Sequence, residues 1–179
     1  MRTRYRFGCL GLCIDVGLFR SIPMKDFKYL DLIEQIRKEF KIDYYGDHGI
    51  SHWRRVYYNT QKLSSHYEIE SEVFELFSLL HDSKRHDEFK DKYHGKRAAC
   101  FVEDLLQVGS IVLNDEDAER LIYACANHTH SDKKNPLFND KIVQICFDSD
   151  RLDIGRVGYI VNPEYLATNY AISLITGGQ

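Results

Sequence analysis

The residues best suited to chemistry in this sequence are histidines and aspartates at the ends of apolar segments. His81 and Asp82 directly follow the apolar run of LFSLLHD, and His81 lies four residues after Phe77 on the predicted buried face of a helix. Burying the charge of Asp82 costs several kcal/mol unless a cation or hydrogen-bond donors compensate for it. Three other such residues also lie on or near apolar faces of predicted helices, namely His52, His128 and Asp150.

This set of side chains has the composition of a metal centre. Side chains from facing helices of a bundle can converge on one ion. Mixed imidazole and carboxylate ligands suit Mn, Fe, Co, Ni or Zn, and they suit Ca or Mg alone less well. A lone histidine on an apolar face is more often a core residue than a ligand, but a purely structural bundle leaves the buried aspartates unexplained.

The elements that must position these residues are predicted to be helices. Apolar residues recur at three- and four-residue steps nearly throughout, and only GSIVLN is a candidate strand. Gly109 is predicted to end a helix, and Asn114 and Asn162 are predicted to begin two others. The pattern predicts one compact all-α bundle of about seven helices, near residues 30–40, 50–63, 70–81, 95–109, 113–128, 139–147 and 162–177.

Composition excludes several classes of protein. The chain has 179 residues, enough for one domain, and its 44% apolar content excludes a disordered chain. A net charge of −3 provides no general attraction to nucleic acid or to an anionic membrane, so neither partner is expected. The five cysteines form no paired framework and no C-x-x-C spacing, which favours a reducing, cytoplasmic compartment.

The N-terminal segment is interpreted separately. Residues 1–23 imitate a signal peptide, but Asp15 interrupts the apolar part and no small-x-small cleavage site follows. A helical pattern begins at Met24, which is a candidate for the natural start of the chain. Residues 1–23 are therefore interpreted as an extension, either foreign to the native protein or a packing arm, and residues 24–179 as a single domain.

Three motifs in chain order resemble the H…HD…D signature of the HD-domain superfamily of metal-dependent phosphohydrolases. HGISHWRRV resembles the first motif, in which a ligand histidine precedes an arginine–valine pair, so His52 is the matching ligand. LFSLLHD resembles the second motif and FDSDRLD the fourth, which match His81, Asp82 and Asp150. The resemblance spans about residues 45–160. It implies an HD-like bundle in which these four residues bind a divalent metal.

Further segments match the family less closely. YHGKRAA and ANHTHS imply that His94 and His128 bind a second metal or the substrate phosphate. Arg85 stands three residues after Asp82, and Arg151 follows Asp150, at positions where relatives carry cations. The resemblance therefore implies Asp82, Arg85 and Arg151 as catalytic residues. Four further histidines are expected outside the ligand set, namely His48, His66, His86 and His130. Asp153 is expected to accept a hydrogen bond or to form a salt bridge.

The resemblance predicts a phosphomonoester or phosphodiester hydrolase that uses a metal-activated water on a small, nucleotide-like substrate. The chain lacks the glycine-tyrosine-proline motif of the cyclic-dinucleotide branch and has no room for the long insertions of the dNTP triphosphohydrolases. The sequence leaves open whether one or two ions bind, and Mg is among the candidate metals. It also leaves open whether the protein forms a homodimer. Two alternatives also stay open, namely a non-catalytic HD module that binds metal and nucleotide for regulation, and a di-iron HD-fold oxygenase.

Overall fold

The computed structural model describes residues 27–130 and 133–177, so the predicted extension at residues 1–23 lies outside the described residues. Seven α-helices and no strand lie in the described ranges, which confirms the predicted all-α bundle. The helices are α1 (Leu30–Glu39), α2 (Ile50–Tyr67), α3 (Val73–Leu80), α4 (His94–Gln107), α5 (Asp115–Asn127), α6 (Lys141–Arg151) and α7 (Asn169–Thr176). Short 3-10 turns cover Pro136–Asn139, Ile154–Val157 and Pro163–Tyr165.

Helix α3 forms the centre of the bundle. All of its residues except Glu75 are buried, and such an apolar helix requires protein on every side. It packs against α2, α5 and α6. The C-terminal end of α3 therefore delivers His81 and Asp82 between α2, which carries His52, α6, which carries Asp150, and α5, which His128 follows.

The pair α4 and α5 packs unusually closely at Gly95. A Cβ atom at this position would lie 2.6 Å from the backbone oxygen of Cys125, so the approach requires glycine. His94 precedes this glycine, and His128 follows the end of α5. The close contact thus brings the two histidines to the same side of the bundle.

Two predicted helix ends are confirmed. The side chain of Asn114 accepts a hydrogen bond from the amide of Asp117 at 2.9 Å, which caps α5. Gly109 adopts a positive φ of 71° just after α4, where the amide of Ser110 donates to the oxygen of Leu105.

Helices α3 and α6 differ from their predicted bounds. Helix α3 begins at Val73 rather than near Glu70. The Ser71 hydroxyl accepts a hydrogen bond from the amide of Val73 at this start. Helix α6 begins at Lys141 because Asp140 accepts the first amides, and it continues to Arg151 instead of ending at Phe147. The four additional residues place Asp150 inside α6, where its carboxylate lies near His52 and Arg156.

The predicted last helix was wrong in its first half. Asn162 caps only the single turn Pro163–Tyr165, and α7 starts at Asn169 with Thr168 as its cap. The reason is Asp148, which accepts the amides of Ala167 and Thr168 at 2.7 and 2.8 Å and holds that backbone extended. Such a long-range contact has no signature in the local sequence.

The cysteines within the described ranges are free. Cys125 and Cys146 are buried, Cys100 is exposed, and burial raises the pKa of the two buried thiols. The buried pair therefore packs as small apolar residues. In the same part of the chain, no helix combines the length and the apolar character needed to cross a bilayer.

Candidate metal centre

A first cluster of candidate ligands lies where α2, α3 and α6 meet. The Nε2 atoms of His52 and His81 are 3.0 Å apart, and Asp150 Oδ1 lies 3.3 and 3.8 Å from them. Asp82 Oδ2 lies 3.6 and 3.7 Å from the same two nitrogens. Ligand atoms that share one ion at about 2.1 Å are about 3.0–3.4 Å from each other, so these separations approach those of a coordination shell.

A second cluster uses the other oxygen of the same aspartate. Asp82 Oδ1 lies 3.2 Å from His94 Nε2 and 3.6 Å from His128 Nε2, and these nitrogens are 2.8 Å apart. All three residues are buried. The carboxylate of Asp82 is therefore shared between the two clusters, with one oxygen directed at each.

The four histidines of the two clusters use their ring nitrogens in the same way. The Nδ1 atoms of His81, His94 and His128 lie 2.5–3.0 Å from backbone oxygens, which can only accept a hydrogen bond. His52 Nδ1 lies 2.7 Å from a carboxylate oxygen of Asp153. Each Nδ1 therefore carries a proton, and in a neutral ring the Nε2 lone pair is directed into a cluster.

This donor arrangement fits a cation. Two neutral imidazoles whose Nε2 lone pairs face each other at 3.0 or 2.8 Å repel unless a positive charge lies between or beside them. Imidazole nitrogens and carboxylate oxygens together are ligands for Mn, Fe, Co, Ni or Zn. The described residues thus offer two places for a divalent transition metal, with a donor set of His52, His81, Asp82, Asp150, His94 and His128.

Burial and charge act together on the pKa values in the centre. Burial lowers the pKa of His81 to about 3 and that of His94 to about 4, which keeps both rings neutral. Burial alone would raise the pKa of Asp82 and Asp150, but the adjacent histidines hold both well below the ordinary value. The carboxylates therefore stay ionised and the histidines His81 and His94 unprotonated, as metal ligands must be.

The pKa of His52 indicates that the first cluster favours a positive charge. Burial opposes its protonation, yet its contacts with Asp150 and Asp153 raise its pKa above the ordinary value. A proton is thus favoured on a ring whose Nε2 faces the first cluster. A metal ion at this cluster would satisfy the same electrostatic demand.

A cavity of about 920 Å³ opens over the two clusters. Asp82, His94, His128 and Asp150 line it, together with residues from the segments that follow α3, α5 and α6. Positive charges dominate the part of the wall beyond these residues, which includes Arg85, Lys90, Lys92, Lys133, Arg151 and Arg156. The cavity can therefore admit an anionic ligand to the clusters.

The fold has a counterpart among solved structures. The crystal structure of a predicted HD superfamily hydrolase from an uncultured Thermotogales bacterium is 26% identical to this chain. The match covers 86% of this chain and 87% of that one, with a TM-score of 0.62. The chain has the HD-domain fold. No family model and no curated protein matches it. Together with the His/Asp clusters, the likeness supports a metal-dependent HD-type hydrolase.

Asp153 of this HD-domain chain supports the first cluster from outside. Its Oδ2 accepts a hydrogen bond from His52 Nδ1 at 2.7 Å, and its Oδ1 accepts one from Arg55 Nε at 2.6 Å. The sequence predicts a hydrogen bond or a salt bridge for Asp153, and the structure shows one of each. The carboxylate selects the His52 tautomer that presents Nε2 to the cluster.

Replacing Asp153 by asparagine is expected to weaken metal binding about 10–100-fold, because a neutral amide holds and polarises the His52 ring less strongly than a carboxylate does. Competition with a chromogenic chelator measures the metal dissociation constant. Asp140→Asn is the matched control, since Asp140 pairs with Arg120 at 3.0 Å at the far end of α6. Equal metal affinity in both variants would contradict the positioning role.

The predicted arginines lie at the cavity but differ in their contacts. Arg85 Nη1 lies 3.4 Å from Asp82 Oδ1 and 3.3 Å from His94 Nε2, directly beside the second cluster. The guanidinium of Arg151 instead donates to the backbone oxygens of Tyr165, at 2.8 Å, and His128, at 3.4 Å. The structure thus brings Arg85 to the clusters and places Arg151 in the wall of the HD-domain cavity.

Sequence reasoning missed Arg156 as a cation of the site. Its Nη1 lies 3.9 Å from Asp150 Oδ1 and 3.8 Å from Asp153 Oδ2, and its Nε donates to the oxygen of Asp47 at 2.9 Å. The available signal was its spacing, since it follows Asp153 by three residues and Asp150 by six. Arg156 joins the turn after α6 to the loop before α2 at the edge of the cavity.

The other histidines lie outside both clusters. His48 is buried and lines the cavity, with its Nδ1 2.6 Å from Glu88 Oε2. His130 also lines the cavity but is exposed. His66 stacks on Tyr170 with ring centroids 3.7 Å apart, and His86 is exposed. His48 is therefore the member of this group with the closest structural connection to the centre.

Proposed function

We propose that this HD-domain protein hydrolyses phosphomonoesters or phosphodiesters of small, nucleotide-like substrates, with one divalent ion at each cluster. The observation that carries the proposal is the position of Asp82, whose two oxygens face two separate pairs of Nε2 atoms at the base of a cationic cavity. The structural neighbour described as an HD superfamily hydrolase supports the hydrolytic part. The choice of a phosphate ester as the substrate is supported by the cations of the cavity and by the sequence motifs.

The donor set defines the chemistry that the site would supply. Divalent ions bound by such ligands acidify a coordinated water and withdraw charge from a phosphoryl oxygen. Asp82 and Asp150 contribute the negative charge that retains the ions, and their low pKa values keep them ionised at neutral pH. Asp153 keeps His52 in the tautomer that leaves Nε2 available.

The arginines of the cavity would bind the phosphate. Arg85 lies beside Asp82 and the second cluster, so an anion that reaches the clusters meets its guanidinium. Arg156 approaches the first cluster from the opposite segment, and Arg151 lines the same wall. Fixed cations on several sides of a transferring phosphoryl group stabilise the charge on its equatorial oxygens.

Turnover should depend on the metal. Protein treated with EDTA is expected to lose activity toward a panel of nucleotides and p-nitrophenyl phosphates, and Mn, Fe, Co, Ni, Zn or Mg should restore it. Elemental analysis of the same samples should find two ions per chain. No turnover with any of these metals, or equal turnover after removal of all metal, would refute the hydrolase.

A second activity is favoured by the six-residue donor set. Two histidine pairs that share one carboxylate can also hold a di-iron centre, the alternative that required His94 and His128 as additional ligands. Iron content and a visible absorption band in aerobically purified protein separate an oxygenase from a hydrolase. A regulatory module would bind metal and nucleotide without turnover in the same panel. A cytoplasmic location, a homodimer and the absence of a nucleic-acid partner stay predictions.

A further inference from the structure

The mouth of the cavity carries an unusual concentration of exposed apolar side chains. Phe89 is 95% exposed and Ile160 is 94% exposed, the two highest values among the large hydrophobic residues exposed in the described ranges. Tyr159 and Tyr165 are 70% and 69% exposed, and all four residues line the cavity. We call these four residues the apolar rim. Grouped, solvent-exposed apolar side chains at a cleft mark a binding surface rather than a packed core.

The first side of the apolar rim is held in place by hydrogen bonds. The carboxylate of Asp87 accepts the amides of Phe89 at 2.6 Å and Lys90 at 2.9 Å. Asp91 accepts the amide of His86 at 2.7 Å and pairs with Arg97. The backbone that exposes Phe89 is therefore a defined turn, and the exposure of its ring is a property of that turn.

The part of the apolar rim that follows α6 is anchored by that helix. Asp148 accepts the Thr168 hydroxyl in addition to the amides of Ala167 and Thr168, and Arg151 donates to the backbone oxygen of Tyr165. Burial raises the pKa of Asp148, so placing this carboxyl group in the interior has an energetic cost. The backbone from Tyr165 to Thr168 is thus tied to the helix that carries Asp150, a few residues after Tyr159 and Ile160.

The size of the cavity indicates what the apolar rim contacts. Its volume of about 920 Å³ lies in the range of about 300–1,000 Å³ typical of pockets for drug-sized organic ligands. The phosphate of the proposed substrate would be bound at one end, beside Asp82 and Arg85. A second group, larger than phosphate and compatible with phenyl and phenol rings, would occupy the remaining space beside the apolar rim.

We propose that the apolar rim is a subsite for an aromatic group attached to the phosphate, and that Phe89 and Ile160 are its main contacts. This inference rests on the proposed function for the position of the phosphate. Because Phe89 and Ile160 are almost fully exposed, covering them with a ring removes apolar surface from water that the fold itself leaves uncovered. The rim would select esters by their organic group, whereas the clusters act on the phosphate.

The test compares two phosphonates that resist hydrolysis and differ only in the organic group. Phenylphosphonate and methylphosphonate are titrated calorimetrically into the full chain with saturating Mn²⁺. Phenylphosphonate is expected to bind at least about tenfold more tightly, since about 60 Å² of additional apolar burial suffices for that ratio. In Phe89→Ala/Ile160→Ala the ratio should fall to within about twofold of unity, with methylphosphonate affinity unchanged.

The matched control is Val108→Ala/Val112→Ala, which truncates two side chains that are 72% and 78% exposed after α4 and away from the cavity. It should keep the wild-type ratio. Absence of phenylphosphonate binding, a wild-type ratio near one, or a ratio that survives in the rim variant would each overturn the subsite. A rim variant that changes the oligomeric state but not the ratio would assign the rim to a subunit contact instead. Preserved discrimination without turnover of any ester would refute the hydrolase and leave the subsite standing.

Discussion

Replacing Asp82 by asparagine should deplete the protein of bound metal and lower kcat/KM for ester hydrolysis by more than about 10²-fold. Loss of an outer partner of a metal ligand costs about 10–100-fold, and Asp82 is a shared candidate ligand of both clusters. The substitution removes the negative charge that faces His52 and His81 on one side and His94 and His128 on the other. Elemental analysis and steady-state kinetics on the same preparation measure both effects.

The control for this variant is another buried carboxylate. Asp148 is fully buried on α6, but its oxygens accept from Ala167 and Thr168 rather than facing the clusters. Asp148→Asn should therefore keep its metal while its free energy of unfolding decreases. If Asp82→Asn retains two ions and wild-type turnover, the shared-ligand interpretation is wrong. If both variants lose metal equally, the effect is a general consequence of damage to the fold.

The second large effect is expected in the metal-free protein. Its free energy of unfolding should fall by as much as about 4 kcal/mol when the pH is lowered from 6.5 to 4.5. Burial lowers the pKa of His81 to about 3 and that of His94 to about 4 in the folded state, against an ordinary value of 6.5. Urea unfolding in EDTA at a series of pH values, with m-values compared, measures the change.

The free energy of unfolding falls at low pH because the unfolded chain takes up more protons than the folded chain does. Below pH 6.5 the unfolded chain protonates both histidines, whereas the folded chain does not until the pH reaches their lowered pKa values, so protons favour unfolding. His52 acts differently, because its raised pKa provides stabilisation that is complete below pH 6.5 and is lost as the pH rises through the folded value. The ionised Asp82 and Asp150 add a further loss of stability only near and below pH 3.8.

A single substitution tests the assignment of this pH dependence. His94→Gln should reduce the slope of stability against pH, since it removes one of the rings whose pKa burial lowers. His66→Gln is the matched control, because His66 is exposed and stacks on Tyr170 away from the centre. Stability that is constant, or that increases, between pH 6.5 and 4.5 would contradict the buried neutral state of His81 and His94.

The local pattern of the chain was sufficient to predict a buried helix that ends at His81 and Asp82. Helix α3 is apolar on all faces, so its burial and the delivery of His81 and Asp82 to the interior could be predicted from hydrophobic spacing. The order of the motifs around His52 and Asp150 was visible instead through the resemblance to the HD-domain superfamily. Boundaries were less accurate where a distant side chain decides them, as when Asp148 stops the predicted last helix before Asn169.

What the sequence by itself determined is therefore the helical architecture and the candidate ligands, because helical periodicity and the cost of burying an unpaired carboxylate act within a few residues. Only the tertiary structure decided how the ligands are shared. The two oxygens of Asp82 face different histidine pairs because α3 ends between α2, α5 and α6. His52 meets Asp153 across 101 residues of chain. Contacts between side chains so far apart depend on how the helices pack, which no local window of the sequence contains.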